Sequence, residues 1–171
     1  DDDIHYILEA GRYAPSGGNA QPWLFGVIDD RELINELVKC CHNQKWIAAA
    51  PVVIALCTKR FSEDDVDMEK YRLGKLNDEI YNMDPNVLDI LCAREHQTLL
   101  AADNMMLAAY ERNIGSCLIA YFDVYKASKL LKVPNSHLVT YLLTLGHYDT
   151  IPAPKEVKPS EEIVFNNIYD K

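Results

Sequence analysis

The 171-residue sequence has little positive charge, few glycines and no long apolar run, and each shortage excludes something. Seventeen basic residues stand against 26 acidic ones, a formal net charge of -9. A broad surface for nucleic-acid phosphates or an anionic membrane is therefore not expected, and an anionic ligand needs a local basic site. The longest apolar run, Trp46 to Cys57, is twelve residues and is interrupted by Pro51, whereas a membrane-spanning helix needs about 18 or more. No membrane helix is expected, and no secretory signal opens the chain. Also missing are a glycine-rich phosphate loop ending in Lys-Ser/Thr, GxGxxG, HExxH and paired CxxC. Ser116 follows Gly115 without the second glycine that a nucleophile elbow requires. His5, His42, His96, His137 and His147 show no metal spacing, so no metal site is expected. The cysteines, Cys40, Cys41, Cys57, Cys92 and Cys117, are odd in number and mostly inside apolar runs. That fits thiols in a reducing compartment, and the cytoplasm is the expected location.

What is present suits one globular domain over 1–171. Apolar residues make up 49% of the chain and charged residues 25%, and a chain of this length can bury about 70% of its unfolded surface. Asp1 to Asp3 favour a helix start, with Ile4, Ile7, Leu8 and Gly11 at helical spacing before Pro15. Trp23 to Ile28 reads as a strand, and Asp29 with Glu32 as a capping pair for a helix through Cys41. Pro51 to Cys57 reads as a buried strand. Residues 59–90, rich in Glu63, Asp64, Asp65, Asp67 and Glu69, read as a variable excursion, either a solvated insertion or a lid.

The strongest helix signal runs from Cys92 to Asn113, with Leu99, Leu100, Met105, Met106, Leu107 and Ala109 spread around the cylinder. Such a helix is either central or completed by a partner. Gly115 is expected to end it as a left-handed cap. Ser116 to Phe122 and Leu138 to Leu145 read as strands, with an Asp123-capped helix between them that Pro134 terminates. Ser160 to Val164 reads as a short helical stretch in a proline-rich tail.

The segment Pro15 to Trp23 reads PSGGNAQPW. Gly17 and Gly18 are expected to turn through positive φ and bring bare N–H groups close to a ligand. Asn19 and Gln21 add two amides, each both donor and acceptor. A flat heteroaromatic whose edge alternates carbonyls with one N–H suits them, and the isoalloxazine ring of a flavin has that edge.

Four stretches carry a resemblance that runs along nearly the whole chain: EAGRYAPSGGNAQPWLF (Glu9 to Phe25), KWIAAAPVVIAL (Lys45 to Leu56), AADNMMLAAYERNIGSCLIAYFD (Ala101 to Asp123) and LLTLGHYDTIPAPKEVKPSEEIVF (Leu142 to Phe165). In content, order and spacing they resemble the nitroreductase family of FMN-dependent oxidoreductases. The resemblance implies an α+β three-layer sandwich, with a mixed, mainly antiparallel sheet between helices. It also implies a homodimer formed through long helices, with FMN at the subunit interface and NADH or NADPH as electron donor to a small-molecule acceptor.

By the same resemblance, Ser16, Gly17, Asn19 and Gln21 approach the ribityl chain and pyrimidine edge of the flavin. The Gly115, Ser116, Cys117 and Leu118 turn lies against the ring, where backbone N–H groups stabilise the reduced flavin. Lys158 matches a basic position that pairs with the phosphate, and Arg12 is a poorer candidate. No catalytic side chain is nominated, because the flavin carries the difficult chemistry. The family usually opens with an arginine-rich motif that this sequence, starting at Asp1, does not show, and a fragment of a longer protein is the expected reason. Reductive dehalogenation or flavin fragmentation is the alternative within the superfamily, although GGNAQPW favours the nitroreductase branch. A non-catalytic flavin-binding module is the alternative outside it.

Overall fold

The computed structural model describes residues 2–60, 93–151 and 153–168, and the side chains of residues 96 onward in the second span. The order is α1 (Asp2–Arg12), β1 (Trp23–Ile28), α2 (Arg31–Cys40), β2 (Val52–Lys59), α3 (Ala93–Glu111), β3 (Gly115–Ile119), α4 (Val124–Leu130), β4 (His137–Gly146) and α5 (Ser160–Ile163). Short 3-10 turns occupy Gly17–Asn19 and Lys45–Ala49. Most of the excursion expected over 59–90 lies outside the described residues.

The strands form one sheet in the order β1-β2-β4-β3, and every described pairing is antiparallel. Its two central strands are apolar on both faces because both faces are covered. Val53, Ala55 and Cys57 of β2 pack with Ile34, Leu37 and Val38 of α2 and Ala127 of α4. Ile54 and Leu56 point the other way, onto Ile7 of α1 and Ala102, Met105 and Ala109 of α3. Helices on both faces of a sheet make the expected α+β three-layer sandwich.

Strand β4 breaks strict alternation: Val139 and Leu142 share one face although they differ in parity. The pairing slips between Leu56 and Cys57, which face Tyr141 and Val139 and leave Thr140 as the extra residue of a bulge. The Thr140 hydroxyl donates to the Leu56 carbonyl at 3.3 Å and lies 2.7 Å from the Thr58 hydroxyl. Thr58 in turn donates to Thr98 of α3 at 2.9 Å. Thr58 and Thr98 are buried and Thr140 is partly so, so Thr58→Val is expected to lower stability by about 1–3 kcal/mol by leaving its neighbours short of a partner. Thr58→Ser is expected to restore it in a urea melt; equal losses for both substitutions would show that shape matters there, not the hydroxyl.

Local expectations are corrected at three places. Asp30, not Asp29, caps α2 by accepting the Leu33 N–H at 2.8 Å. At its first residue, Arg31 reaches across to the carbonyls of Ala48 and Ala50, at 2.6 and 3.1 Å. Helix α3 is closed by Asn113 in the left-handed region (φ 56), not by Gly115. Ile114 N–H bonds to Ala109 O at 2.9 Å and Asn113 N–H to Tyr110 O at 3.0 Å, the paired bonds of a Schellman end. Gly115 instead opens β3, where a Cβ would lie 2.8 Å from Tyr148 Cδ1 and 3.1 Å from the Gly146 carbonyl oxygen. Its lack of a side chain serves close packing. The Gly115 to Leu118 segment is accordingly an edge strand rather than a turn.

Burial accounts for most of the thiols. It pushes Cys41 and Cys57 up to about 11 and raises Cys40 as well. Cys117 differs, being exposed on β3. No helix among the described residues is long and apolar enough to cross a membrane.

Candidate functional site

Helix α1 lies antiparallel on α3. Near its start the Tyr6 hydroxyl donates to Glu111 at 2.7 Å. Further along, Asn104 of α3 donates to the Ala10 carbonyl at 3.2 Å. This packing carries the chain after α1 over the N-terminal half of α3, and Pro22 ties its far end to the sheet by accepting the Lys59 N–H at 2.7 Å.

Between those anchors lies the Ser16 to Gln21 loop. The Ser16 hydroxyl oxygen accepts the Gln21 N–H at 3.0 Å and closes the loop from within. Asn19 N–H and Ala20 N–H are held by the carbonyls of Ser16 and Gly17. The left-handed positions are Gly18 (φ 57), Asn19 (φ 56) and Gln21 (φ 45). This corrects the expectation that Gly17 and Gly18 both turn through positive φ: Gly17 is needed for close approach instead. A Cβ on Gly17 would sit 3.3 Å from Nε2 of Gln97 on α3. Asn tolerates the left-handed region, but Gln21 is strained there, a kind of strain that concentrates at ligand sites. Residues 17–21 are exposed, so the loop presents backbone and amides outward from a braced base.

Gln97 is a residue that sequence reasoning missed. Its side-chain Oε1 is buried without a hydrogen-bond partner among the described residues. Spacing alone offers no signal for it, since a glutamine near the start of an amphipathic helix reads as ordinary surface. The turn after α2 was missed too. His42 (φ 53) and Asn43 (φ 58) are left-handed, the His42 ring stacks on Tyr121 at 4.2 Å, and Gln44 Nε2 donates to the Tyr121 carbonyl at 3.1 Å. This cluster pins the chain just beyond β3.

The expected site residues do not all converge. Trp23, next to the Ser16 to Gln21 loop, pairs with Thr58, and Thr58 with Leu138 near the start of β4. Gly115 and Ser116 pair with Gly146 and Leu145 at the other end of β4. At about 3.3 Å per residue these ends are roughly 20 Å apart. Lys158 lies exposed in the tail. Arg12 is already engaged, with both its Nε and Nη2 donating to Glu9 at 2.7 Å. That contact holds the Glu9 carboxyl below its usual range.

One further surface bears on this separation. Ala101, Ala102, Met105, Ala108 and Ala109 of α3 are buried, whereas Leu100, Leu107 and Tyr110 on its other side are 46%, 62% and 78% exposed. An apolar cavity of about 540 Å³ lies on the opposite face of the sheet, between β1 and the residues after α4, with Lys132 as its one charged lining residue. It is not part of the loop region. No group of three or more metal-ligating side chains occurs among the described residues.

Comparison with known proteins adds to this geometry. The sequence model of the Nitroreductase family matches residues 1–78 and 93–147. A Staphylococcus haemolyticus protein provisionally named an NAD(P)H nitroreductase is 28% identical over 185 residues, covering 95% of this chain and 85% of the relative. An iodotyrosine deiodinase from Thermotoga neapolitana is 24% identical over 168 residues, covering 95% of this chain and 84% of that protein. The structure of the Bacillus subtilis NfrA1 nitroreductase superposes with a TM-score of 0.77 at 21% identity, which shows a shared fold. That superposition covers 99% of this chain, which spans 66% of the Bacillus chain.

Proposed function

The chain belongs to the nitroreductase family, and from that premise we propose that it is an FMN-dependent oxidoreductase, formed by residues 1–171 as one flavin-binding domain and working as a homodimer. FMN held there would supply the redox chemistry, namely hydride acceptance from NADH or NADPH and electron transfer to a nitroaromatic, quinone or enone acceptor in a ping-pong cycle. The observation that carries the reading is the Ser16 to Gln21 loop. It is braced internally, strained at Gln21 and bare at Gly17 and Gly18, and it packs closely over the side chain of Gln97 at its amide nitrogen. An outward backbone and two amides, each both donor and acceptor, fit a ligand with a polar ring edge, as FMN has.

In this reading Ser16 and Gly17 receive the ribityl chain, and Asn19 and Gln21 orient the ring edge. Within Gly115, Ser116, Cys117 and Leu118, alternate residues offer backbone N–H groups on the side of β3 that no described strand pairs, and Lys158 offsets phosphate charge. The loop and β3 lie at opposite ends of one sheet, so one flavin touches both only if the second comes from another copy. The apolar stripe of Leu100, Leu107 and Tyr110 provides the contact for that copy.

The purified protein is expected to bind FMN, and anaerobic NADH or NADPH is expected to bleach its flavin absorbance. Protein that does not take up added FMN would overturn the proposal, and bound flavin that neither nicotinamide reduces would leave a non-catalytic binding module. Similarity to a deiodinase favours reductive dehalogenation as the second reading. Turnover of an iodotyrosine in preference to a nitroaromatic would decide for it.

Asn19→Gly and Gln21→Gly delete the amides while keeping the left-handed backbone. Each is expected to weaken FMN about tenfold, the worth of a buried amide contact. Fluorescence titrations that match the parent for both would remove these residues from the site.

A further inference from the structure

A smaller cavity, of about 220 Å³, opens between α4, the turn that leads into β4 and the residue after β2. Arg60, Lys129, His137, Tyr125, Asn135 and Ser128 line it, and no carboxylate does. In a chain with 26 acidic and 17 basic residues, a cleft holding two fixed cations and no acid differs in sign from the molecule around it. Asp123, the acid at the start of α4, is spent on Lys126 at 2.9 Å. The walls are fixed. Ser128 Oγ donates to the Val124 carbonyl at 2.7 Å and accepts the Val139 N–H at 2.9 Å, which ties α4 to β4. Arg60 N–H reaches the Ser136 carbonyl and His137 N–H the Pro134 carbonyl, both at 2.8 Å, so both side chains leave from an anchored backbone. At the end of α4 the carbonyls of Ser128 and Lys129 are taken by the N–H groups of Val133 and Lys132, at 3.0 and 3.2 Å. The helix end therefore brings little negative character to the cleft. No described residue pairs with the Lys129 ammonium.

We infer that this cleft binds a phosphate dianion, free or as a monoester, through Lys129, Arg60, His137 and Asn135, at a place separate from the flavin site proposed above. Charge and donor count select the ligand. Two cations match a charge of about -2, and a tetrahedral group with three or more acceptor oxygens can use a guanidinium, an ammonium, a ring N–H and an amide together, where a carboxylate has only two oxygens to offer. The volume lies below the roughly 300 Å³ at which pockets for whole ligands begin. It suits one such group with little attached. Burial, followed by the charge of Lys59, lowers the His137 pKa, and Ser136 Oγ lies 3.0 Å from its Nδ1. A neutral ring that accepts from Ser136 at Nδ1 carries its proton on Nε2, the donor that a phosphate oxygen needs. Lys59 pairs with His137, and its N–H meets the Pro22 carbonyl, so the cleft lies at the sheet end that carries the Ser16 to Gln21 loop. A phosphorylated nucleotide such as NADPH and free phosphate are the two sources to separate.

The test titrates the full chain at about pH 8, where phosphate is largely dianionic, and follows the His137 ring resonances by NMR, assigned with His137→Gln. Three ligands are used: inorganic phosphate, 2′-AMP, which carries the phosphate that distinguishes NADPH from NADH, and adenosine. Phosphate is expected to shift the resonances saturably at millimolar concentration, while sodium chloride of equal ionic strength and adenosine do not. Lys129→Met is expected to weaken phosphate about tenfold, Lys129→Arg to stay within about threefold of the parent, and Lys158→Ala to leave it unchanged. Lys129 is exposed, so both of its variants should melt with the parent. Tighter binding of 2′-AMP than of phosphate would identify a nucleotide as the source, and equal or weaker binding would identify free phosphate. Shifts that do not saturate, that chloride or adenosine reproduces, or that Lys129→Met leaves unchanged would each overturn the inference. The flavin reading would survive that failure, since none of these ligands carries an isoalloxazine ring.

Discussion

Replacing Leu107 with glutamate is expected to separate the assembled protein into single chains and to abolish flavin binding with them. Leu107 is 62% exposed at the middle of the stripe that also holds Leu100 and Tyr110. Those three face away from the alanines and Met105 by which α3 rests on the sheet. A carboxylate closed into an apolar contact without a partner costs several kcal/mol, enough to raise a dimer dissociation constant by about a thousandfold. Because the loop and β3 lie at opposite ends of the sheet, a separated chain keeps only half of the proposed site. Sedimentation at micromolar concentration together with an FMN titration reads both effects. A parent protein that sediments as a folded 19.5 kDa species and binds FMN would refute the two-copy site, whereas an assembled Leu107→Glu variant would move the contact off this stripe.

A second large effect is expected at Lys158. The protein carries a formal charge of -9, so its net field repels a phosphate and a local cation has to reverse that repulsion. Arg12, the other candidate, gives its guanidinium to Glu9. Lys158→Ala is therefore expected to weaken FMN by about ten- to a hundredfold and riboflavin by no more than about twofold, consistent with a charge-assisted hydrogen bond. Raising ionic strength should narrow the gap between parent and variant for FMN. Equal loss of both ligands would show that Lys158 acts through the fold or the ring and would withdraw it from phosphate recognition.

The existence of the strands and of α2 was legible in the sequence because β2 and β4 are apolar runs and α2 has a clean helical period, whereas the order of the strands in the sheet was not. The sequence also pointed to the Pro15 to Trp23 loop, where glycines and amides follow a helix stop. The missed features depend on contacts between distant segments. Either Asn113 or Gly115 could have closed α3, and Gly115 was claimed by Tyr148 and Gly146, which leave no room for a side chain. The Thr140 bulge needs Thr58 and Leu56 beside it. Gln97 needs the loop laid over it, and no window of sequence around residue 97 contains Gly17.

The pairing at the centre of the sheet also governs how the chain acquires its structure. Strands β2 and β4 are bound side by side, yet the Thr140 hydroxyl and the Leu56 carbonyl it reaches are 84 residues apart in sequence. Strands β1 and β2 can pair early, as can β3 and β4, each across a modest separation. Joining the two halves has to wait until β4 exists and a long intervening segment has been closed into a loop. During synthesis the inner edge of β2 therefore stays uncovered until β4 has emerged. Non-local strand pairing of this kind slows folding and lengthens exposure to aggregation, so yield in a cell should depend on translation speed and chaperone supply more than on the stability of the finished sheet.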